Sequence, residues 1–310
     1  MNKKQNISRR RFLLTMSISL AGLKFPSLMQ AGTRKFLTKT IPSSKERIPV
    51  IGLGSSRTFN VGSDPLGLQN VTEVMRYFFN AGGKLIDSSP MYGSSQPAIG
   101  YGLKKLSKSK DVFSADKVWT WEQENGLVQM EQSRQFWQVD TFDLMQVHNL
   151  VSWEQHIKTL SQMKQQGNIR YLGITTSHGR RHNELEEIMK TQPLDFVQFS
   201  YNILDRDVER RLLPLAKKRG IAVIINRPFQ RGELIDELIG KPLPTWAKSI
   251  DCMTWPQFLL KFVVSHPAVT CAIPATSQVE HIKENMQACY GALPDQSMRN
   301  RMINYIENII

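Results

Sequence analysis

Asp87 and Tyr92 stand five residues apart in the stretch Gly82-Gly83-Lys84-Leu85-Ile86-Asp87-Ser88-Ser89-Pro90-Met91-Tyr92-Gly93. Residues 84–86 read as a short buried strand entered from a Gly-Gly turn, with the carboxylate at its end. Pro90 and Gly93 make the following segment a turn, so that the phenol and the carboxylate can face one pocket. Lys117 follows a third apolar run, Ala115-Asp116-Lys117, and His148 follows a fourth, Gln146-Val147-His148. Taken singly, each of these has an ordinary structural use: a turn cap, a packed ring, a surface amine, a satisfied buried imidazole. Together, at the ends of three successive strands, they suit one chemistry. Hydride transfer to a carbonyl leaves an alkoxide that must be protonated, and a phenol of pKa near 10 is a poor acid at neutral pH. An ammonium beside it favours the phenolate and lowers that pKa. Asp87 would hold the lysine, and His148 would orient the carbonyl oxygen toward Tyr92, the general acid or base according to direction.

Such a set needs a scaffold that brings strand ends together. From residue 48 onward strands alternate with helices. The apolar, β-branched runs fall at 48–53, 84–86, 111–115, 141–147, 169–174, 195–199, 221–225 and 269–273. Helices are expected between them: from an N-cap at Asn70 to Asn80, then over 98–106, 126–138, 152–167, 180–190 and about 205–219. One more precedes Pro267 from Thr254, and a last one begins at Ser277. Glu73, Gln155, Gln257 and Glu280 lie three residues beyond their caps, as in a capping box. Eight such repeats predict an α/β fold, a closed (β/α)8 TIM barrel, with an N-terminal signal segment and a short hairpin within 35–47 before it. An open doubly wound sheet is the alternative, but Gly52-Leu53-Gly54 lacks the third glycine of a dinucleotide fingerprint. The long segment 229–253, after strand seven, has the length of a lid or clamp.

The chain has 310 residues, 41% of them hydrophobic and 22% charged, which suits a globular barrel domain. Net charge is +13; the 31 N-terminal residues hold six cations and no acids, so 13 less 6 leaves +7 for the rest. That excess suits an anionic ligand, a membrane surface or solubility alone. No Arg/Lys stripe is interleaved with aromatics, which argues against nucleic-acid binding. Cys252, Cys271 and Cys289 form no CxxC and read as buried free thiols without a stable disulfide partner.

Residues 1–31 read as an address. Ser8-Arg9-Arg10-Arg11-Phe12-Leu13 opens a basic region, a weakly apolar run follows to Leu23, and Lys24 closes it. The run is too short to span a bilayer. Paired arginines, the adjacent Phe-Leu and the trailing lysine match a twin-arginine signal, which implies the twin-arginine export machinery as a partner and a periplasmic or membrane-tethered location. A cytoplasmic protein with an inert basic leader is the alternative. The domains expected are therefore 1–31, the leader, and 32–310, the barrel.

The residues quoted above resemble the aldo-keto reductases. The likeness runs from about Ile48 to Asn285 and rests on Asp87 and Tyr92 in the strand-two signature, Lys117 after strand three, and His148 in Phe142-Asp143-Leu144-Met145-Gln146-Val147-His148. The resemblance implies a nicotinamide cofactor, NADPH with NADH as the alternative, and reversible carbonyl–alcohol chemistry on a small-molecule substrate, without metal or flavin. It also implies cofactor contacts. The family holds the carboxamide with Ser-Asn after strand five and Gln on strand six; here Thr175-Thr176 and Gln198 stand in those places. Asn226, followed by Arg227, takes the place where the family often stacks an aromatic ring. Arg231-Gly232 keeps the pattern of a loop that touches the pyrophosphate. Thr276 and Ser277 precede a helix whose free N–H groups can take a phosphate, and Glu284 and Asn285 match residues used around the adenine. The usual Lys and Arg for the 2′-phosphate fall on Ala275 and His281.

The substrate pocket is expected to take walls from Ser56 in the segment 55–59, from Trp119 with Trp121, and from Asn149, which replaces a tryptophan many relatives carry after the histidine. The alternative function is a non-catalytic cofactor-binding or regulatory subunit on the same barrel. It draws support from the altered cofactor contacts and from an export signal that would carry the protein away from a recycling nicotinamide pool.

Overall fold

A computed structural model of the protein describes residues 35–310, so the twin-arginine leader expected at 1–31 lies outside the described residues. A hairpin comes first: β1 (Thr38–Thr40) pairs antiparallel with β2 (Arg47–Pro49). Eight parallel strands follow: β3 (Leu53–Gly54), β4 (Leu85–Asp87), β5 (Phe113–Val118), β6 (Phe142–Val147), β7 (Ile169–Thr175), β8 (Phe196–Ser200), β9 (Ala222–Asn226) and β10 (Cys271–Ala272), each paired to the next in chain order. Parallel bridges Ile51–Ala272 and Gly54–Ala275 join the first of them to the last, which closes the sheet into a barrel rather than leaving it open. Gly54 permits that seam, because a Cβ there would stand 2.8 Å from the Ile273 carbonyl oxygen; at Gly52 a Cβ would stand 2.9 Å from the Leu85 carbonyl oxygen of β4 on the other side.

Two apolar layers hold the fold. Inside the barrel, Leu85, Phe113, Leu144, Tyr171, Phe196, Ile224 and Cys271 meet, and Ile41 and Ile48 of the hairpin plug them from one end. Outside, the opposite strand faces pack against helices α1 (Pro65–Asn80), α2 (Ser95–Leu106), α3 (Gln123–Trp137), α4 (Trp153–Gln165), α5 (His182–Thr191) and α6 (Leu212–Arg219), and against two later helices; α7 (Glu233–Asp236), α8 (Trp255–Ser265), α9 (Val279–Gln287) and α10 (Gln296–Ile309) all add side chains to the same apolar cluster. Strands buried on both faces are why the sequence reads as continuous apolar runs rather than alternating ones. The three cysteines are buried free thiols, and burial pushes Cys252 and Cys289 up to about 12.

Several boundaries differ from those expected. The hairpin extends through Pro49, so the run at 48–53 is divided between it and a two-residue barrel strand. Helix α1 starts at Pro65, not beyond Asn70: the Asp64 carboxylate caps it by accepting from the N–H groups of Leu66 and Gly67. A cap followed by proline at the first helical position is a strong start, and the loop-like Pro-Leu-Gly hides it in the sequence. Asn70 is mid-helix and donates across to the Ser277 carbonyl at 2.5 Å. The third strand runs on to Val118, placing Lys117 within it. Helix α9 begins at Val279 after Gln278, so Ser277 does not cap it; Thr276 Oγ1 accepts instead from the Gln278 N–H at 2.9 Å. Ser152, the residue before α4, is in a left-handed conformation, and its hydroxyl donates to Trp121 O instead of capping. Helix α10, capped by Asp295, was not anticipated.

Candidate active site

The β4 end and the turn after it carry the reactive groups. Asp87 is the last residue of β4, and Pro90–Tyr92 form a single 3-10 turn capped by Ser89, whose hydroxyl accepts from the Met91 N–H. Gly93 follows at φ 60, where a Cβ would stand 2.4 Å from Asn60 Oδ1. Only glycine lets the chain turn there against the β3–α1 loop. Lys117 projects from β5 beneath this turn, entirely buried. Its Nζ donates to Asp87 Oδ1 at 2.5 Å and to the Ser88 carbonyl at 2.7 Å, and lies 5.2 Å from the Tyr92 ring centroid. His148, just past β6, meets Tyr92 edge-on at 5.7 Å between centroids. The structure therefore brings Asp87, Tyr92, Lys117 and His148 into one constellation.

The second Asp87 oxygen, Oδ2, accepts from Gln198 Nε2 at 2.9 Å and Gln146 Nε2 at 3.2 Å. A buried ion pair is favourable only when its remaining lone pairs are satisfied in this way. Burial alone would lower the Lys117 pKa, but Asp87 and Tyr92 outweigh it and the net shift is upward. The phenol behaves differently from the sequence-based expectation. Burial raises the Tyr92 pKa, Lys117 pulls it down, and burial with the Asp87 charge prevails. The lysine therefore acts against a larger desolvation cost, and Tyr92 rests as a neutral phenol. His148 is pushed well below 6.5 by burial and then by Lys117, so its imidazole is neutral.

Ser89 fixes the tautomer of that imidazole. Its Oγ accepts from Met91 N and lies 2.7 Å from His148 Nδ1, the acceptor that remains for the hydroxyl proton. Nε2 then carries the ring proton, an assignment made from the hydrogen-bond network. The supporting contacts of Ser89, Gln146 and Ser55, whose hydroxyl lies 2.9 Å from Asp87 O and Ser88 Oγ, were not read from the sequence, which offered Ser55 only as part of the wall segment 55–59. Ser88-Ser89 stood in the key stretch, but nothing about a serine pair names its partner.

A cavity of about 720 Å³ opens above the strand ends and takes in Asp87, Tyr92 and His148. That volume suits a large ligand. Ser56 and Asn149 line it as well, and Trp119 does not. The indole stands 6.5 Å from His148 between centroids, turned partly to solvent, while its backbone is held by Gln129. Trp121 is 76% exposed and does not line this cavity.

Along the rest of the cavity lie Thr175, Thr176, Gln198, Arg227, Arg231, Gly232, Thr276, His281, Glu284 and Asn285, whereas Ser277 is outside it. The segment 229–253 contributes Phe229, Ile235 and Asp236 through its 3-10 turn and α7. Thr175 Oγ1 is occupied by the Asn149 N–H at 3.2 Å, but Thr176 Oγ1 is buried with no partner. Arg227 Nε is likewise buried and unpartnered. An unsatisfied buried polar atom costs about 1–3 kcal/mol, so both atoms fit a polar ligand that the cavity would hold. Gln198 fits less simply: its amide is committed to Asp87, and Asn226 Nδ2 donates to its oxygen at 3.3 Å. Asn226 also donates to the Thr176 carbonyl at 3.0 Å and offers no ring for stacking.

The family model for the aldo/keto reductase family matches residues 50–302. The chain belongs to that family. Among curated relatives, the NADH-specific methylglyoxal reductase of Escherichia coli is 25% identical over 247 residues, covering 68% of this chain and 73% of its own. The E. coli methylglyoxal reductase YeaE is 25% identical over 245 residues, covering 77% and 84%. Among solved structures, an aldo/keto reductase from Klebsiella pneumoniae in complex with NADP and acetate superposes with a TM-score of 0.72 at 21% identity, covering 84% of this chain and 93% of its own. The thermostable aldo-keto reductase Tm1743, in complex with the inhibitor epalrestat, gives 0.70 at 26% identity, covering 88% and 100%.

Behind Lys117 the strand carries a second carboxylate, on its outer face. Asp116 is fully buried; Oδ1 accepts from the Lys117 N–H at 2.8 Å and Oδ2 from Gln96 Nε2 of α2 at 2.5 Å. Gln96 also donates to Ser133 of α3 at 2.8 Å. With no cation in contact, burial raises its pKa from 3.8 to about 7. The folded chain thus holds this proton more tightly than the unfolded chain does, and stability falls as pH rises from about 4 to about 7. Asp116→Asn, with Gln96 turning its amide, is expected to gain about 1–3 kcal/mol at pH 8 and to flatten that decline. Urea melts at a series of pH values measure it; an unchanged slope would remove Asp116 from the pH response.

Proposed function

We propose that the protein is an NAD(P)H-dependent oxidoreductase that reduces an aldehyde or ketone to an alcohol. The observation that carries this reading is the constellation at one end of the cavity: a neutral phenol on Tyr92, a buried ammonium on Lys117 held by Asp87, and a neutral imidazole on His148. Relatives named as methylglyoxal reductases and a structural neighbour solved with NADP support it. When bound, the nicotinamide supplies the hydride.

The chain's own groups do the rest. The carbonyl oxygen sits between the Tyr92 hydroxyl and His148 Nε2–H, which donates to it and sets its direction. Tyr92 gives its proton to that oxygen as negative charge develops there. The resulting phenolate is stabilised by the Lys117 ammonium, and water entering the cavity restores the proton. Thr176, with its free hydroxyl, takes the carboxamide; Arg227, Arg231 and Gly232 take the pyrophosphate; Glu284 and Asn285 take the adenine end. His281, whose Nδ1 lies 3.5 Å from Thr276 Oγ1, and Ala275 give the 2′-position no fixed cation, so the site admits either NADPH or NADH.

Titrating the purified protein with NADPH and NADH, and following nicotinamide fluorescence, tests the reading. Saturable binding of at least one, with oxidation on adding a small aldehyde, is expected. Binding without turnover would turn the conclusion to a non-catalytic cofactor-binding subunit, the reading that Gln198's commitment to Asp87 favours; binding of neither would end both. For the leader, export by the twin-arginine machinery to the periplasm or the membrane surface completes the proposal. Arg9→Lys with Arg10→Lys is expected to leave the protein in the cytoplasm, and unchanged recovery in the exported fraction would refute it.

A further inference from the structure

We propose that Arg57 selects the substrate: the carbonyl compound reduced here carries an oxyanion, a carboxylate or a phosphate monoester, that the guanidinium binds. The inference rests on the reductase reading and narrows it.

Arg57 lies on the β3–α1 loop and lines the cavity that holds Tyr92 and His148. The loop is tied to the reactive turn on both sides. Before Arg57, Ser55 N–H donates to the Asp87 carbonyl at 3.1 Å, and Ser95 Oγ donates to Ser55 O at 3.3 Å. After it, Asn60 Oδ1 accepts from the Ser94 N–H at 2.9 Å, and the Gly62 N–H donates to Ser94 Oγ at 2.7 Å. Phe59, fully buried, anchors the same loop in the core. Arg57 therefore stands between two points fixed to the segment that carries Tyr92.

Its backbone takes φ 68, the left-handed region. A non-glycine residue there costs about 1 kcal/mol or more and persists when its surroundings impose it. The side chain so placed has no hydrogen bond, ion pair or ring contact among the described residues, unlike Arg134, Arg170 and Arg181, each on a carboxylate. Next to it, Thr58 lines the same cavity with a buried hydroxyl that also lacks a partner.

The cavity's acids do not answer this charge. Asp87 is bound to Lys117, and neither Asp236 nor Glu284 forms an ion pair with Arg57. With Arg227 and Arg231 given to the cofactor's pyrophosphate, Arg57 is left without a ligand among the described arginines and lysines that line the cavity. A guanidinium with its fork of donors matches a carboxylate or phosphate.

Two matched pairs test this: 4-oxobutanoate against butanal, and glyceraldehyde 3-phosphate against glyceraldehyde. The wild-type protein is expected to favour the charged member of at least one pair by about tenfold or more in kcat/KM. Arg57→Gln should lower kcat/KM for that member about 10- to 100-fold, the range for one charge-assisted hydrogen bond. The neutral partner should stay within about twofold, nicotinamide affinity should not change, and Arg57→Lys should recover part of the loss. The pair that responds tells carboxylate from phosphate. A parallel fall for charged and neutral substrates, weakened cofactor binding in Arg57→Gln, or no preference in the wild type would overturn the assignment. If the protein binds nicotinamide but reduces none of the four, the reductase reading fails by itself. Calorimetry with succinate and inorganic phosphate on the cofactor-saturated protein then decides: binding lost in Arg57→Gln supports the oxyanion site, and no binding to the wild type overturns it.

Discussion

Tyr92→Phe is expected to lose at least about 100-fold in turnover while nicotinamide binding survives. The substitution removes one oxygen and keeps the ring, which packs edge-on against His148 and under which Lys117 lies. The cost should therefore fall on proton transfer and not on the shape of the cavity. Its pH dependence follows from the same groups. Reduction requires the protonated phenol, and burial lifts the Tyr92 pKa above 10. His148, lowered well below 6.5, stays neutral across the same range. Turnover for reduction should be level through neutral pH and fall only on the alkaline side, where the phenol ionises. The measurement is single-turnover oxidation of bound NADPH or NADH at a series of pH values. Wild-type rates in the Phe variant, or a wild-type fall centred near pH 6.5, would take the proton from some other group.

Lys117→Met is the second large effect, and it should damage both stability and activity. Removing the ammonium leaves the Asp87 carboxylate buried at 2% exposure, held only by the two glutamine amides and no cation. Breaking a buried pair in this way costs about 3–5 kcal/mol. Replacing both partners removes the uncompensated charge, so Asp87→Asn with Lys117→Met should recover much of that stability. It should recover none of the activity, because the phenolate formed at Tyr92 would still lack its cation. Denaturant melts together with single-turnover rates separate the two roles. A double variant no more stable than Lys117→Met alone would show that Asp87 is not held by charge, and a single variant with full activity would dismiss Lys117 from the chemistry.

The barrel was legible because its strands are buried on both faces and so spell themselves as apolar runs. The hairpin at Thr38–Thr40 and Arg47–Pro49 was legible from its turn residues. The capping boxes were less informative. Asn70, Ser152 and Ser277 each fit the pattern, yet Asp64 starts α1, Ser152 donates to Trp121 O, and Ser277 O accepts from Asn70. A short polar side chain has several backbone partners within reach, and only packing selects one. Trp119, two residues past Lys117, stands 6.5 Å from His148 between ring centroids, partly exposed and outside the cavity lining.

By itself the sequence determined which chemical groups are present and, through the repeat of strand and helix, that Asp87, Tyr92, Lys117 and His148 stand at strand ends. Spacing along a chain specifies such positions because strand direction and helix length are local properties. Only the tertiary structure decided the charge states and the supporting contacts. The Tyr92 pKa rises, Ser89 sets the His148 tautomer, Gln198 is bound to Asp87, and Arg57 is left without a partner. Desolvation and hydrogen bonding depend on atoms brought from distant parts of the chain, and no local pattern records how much water they exclude.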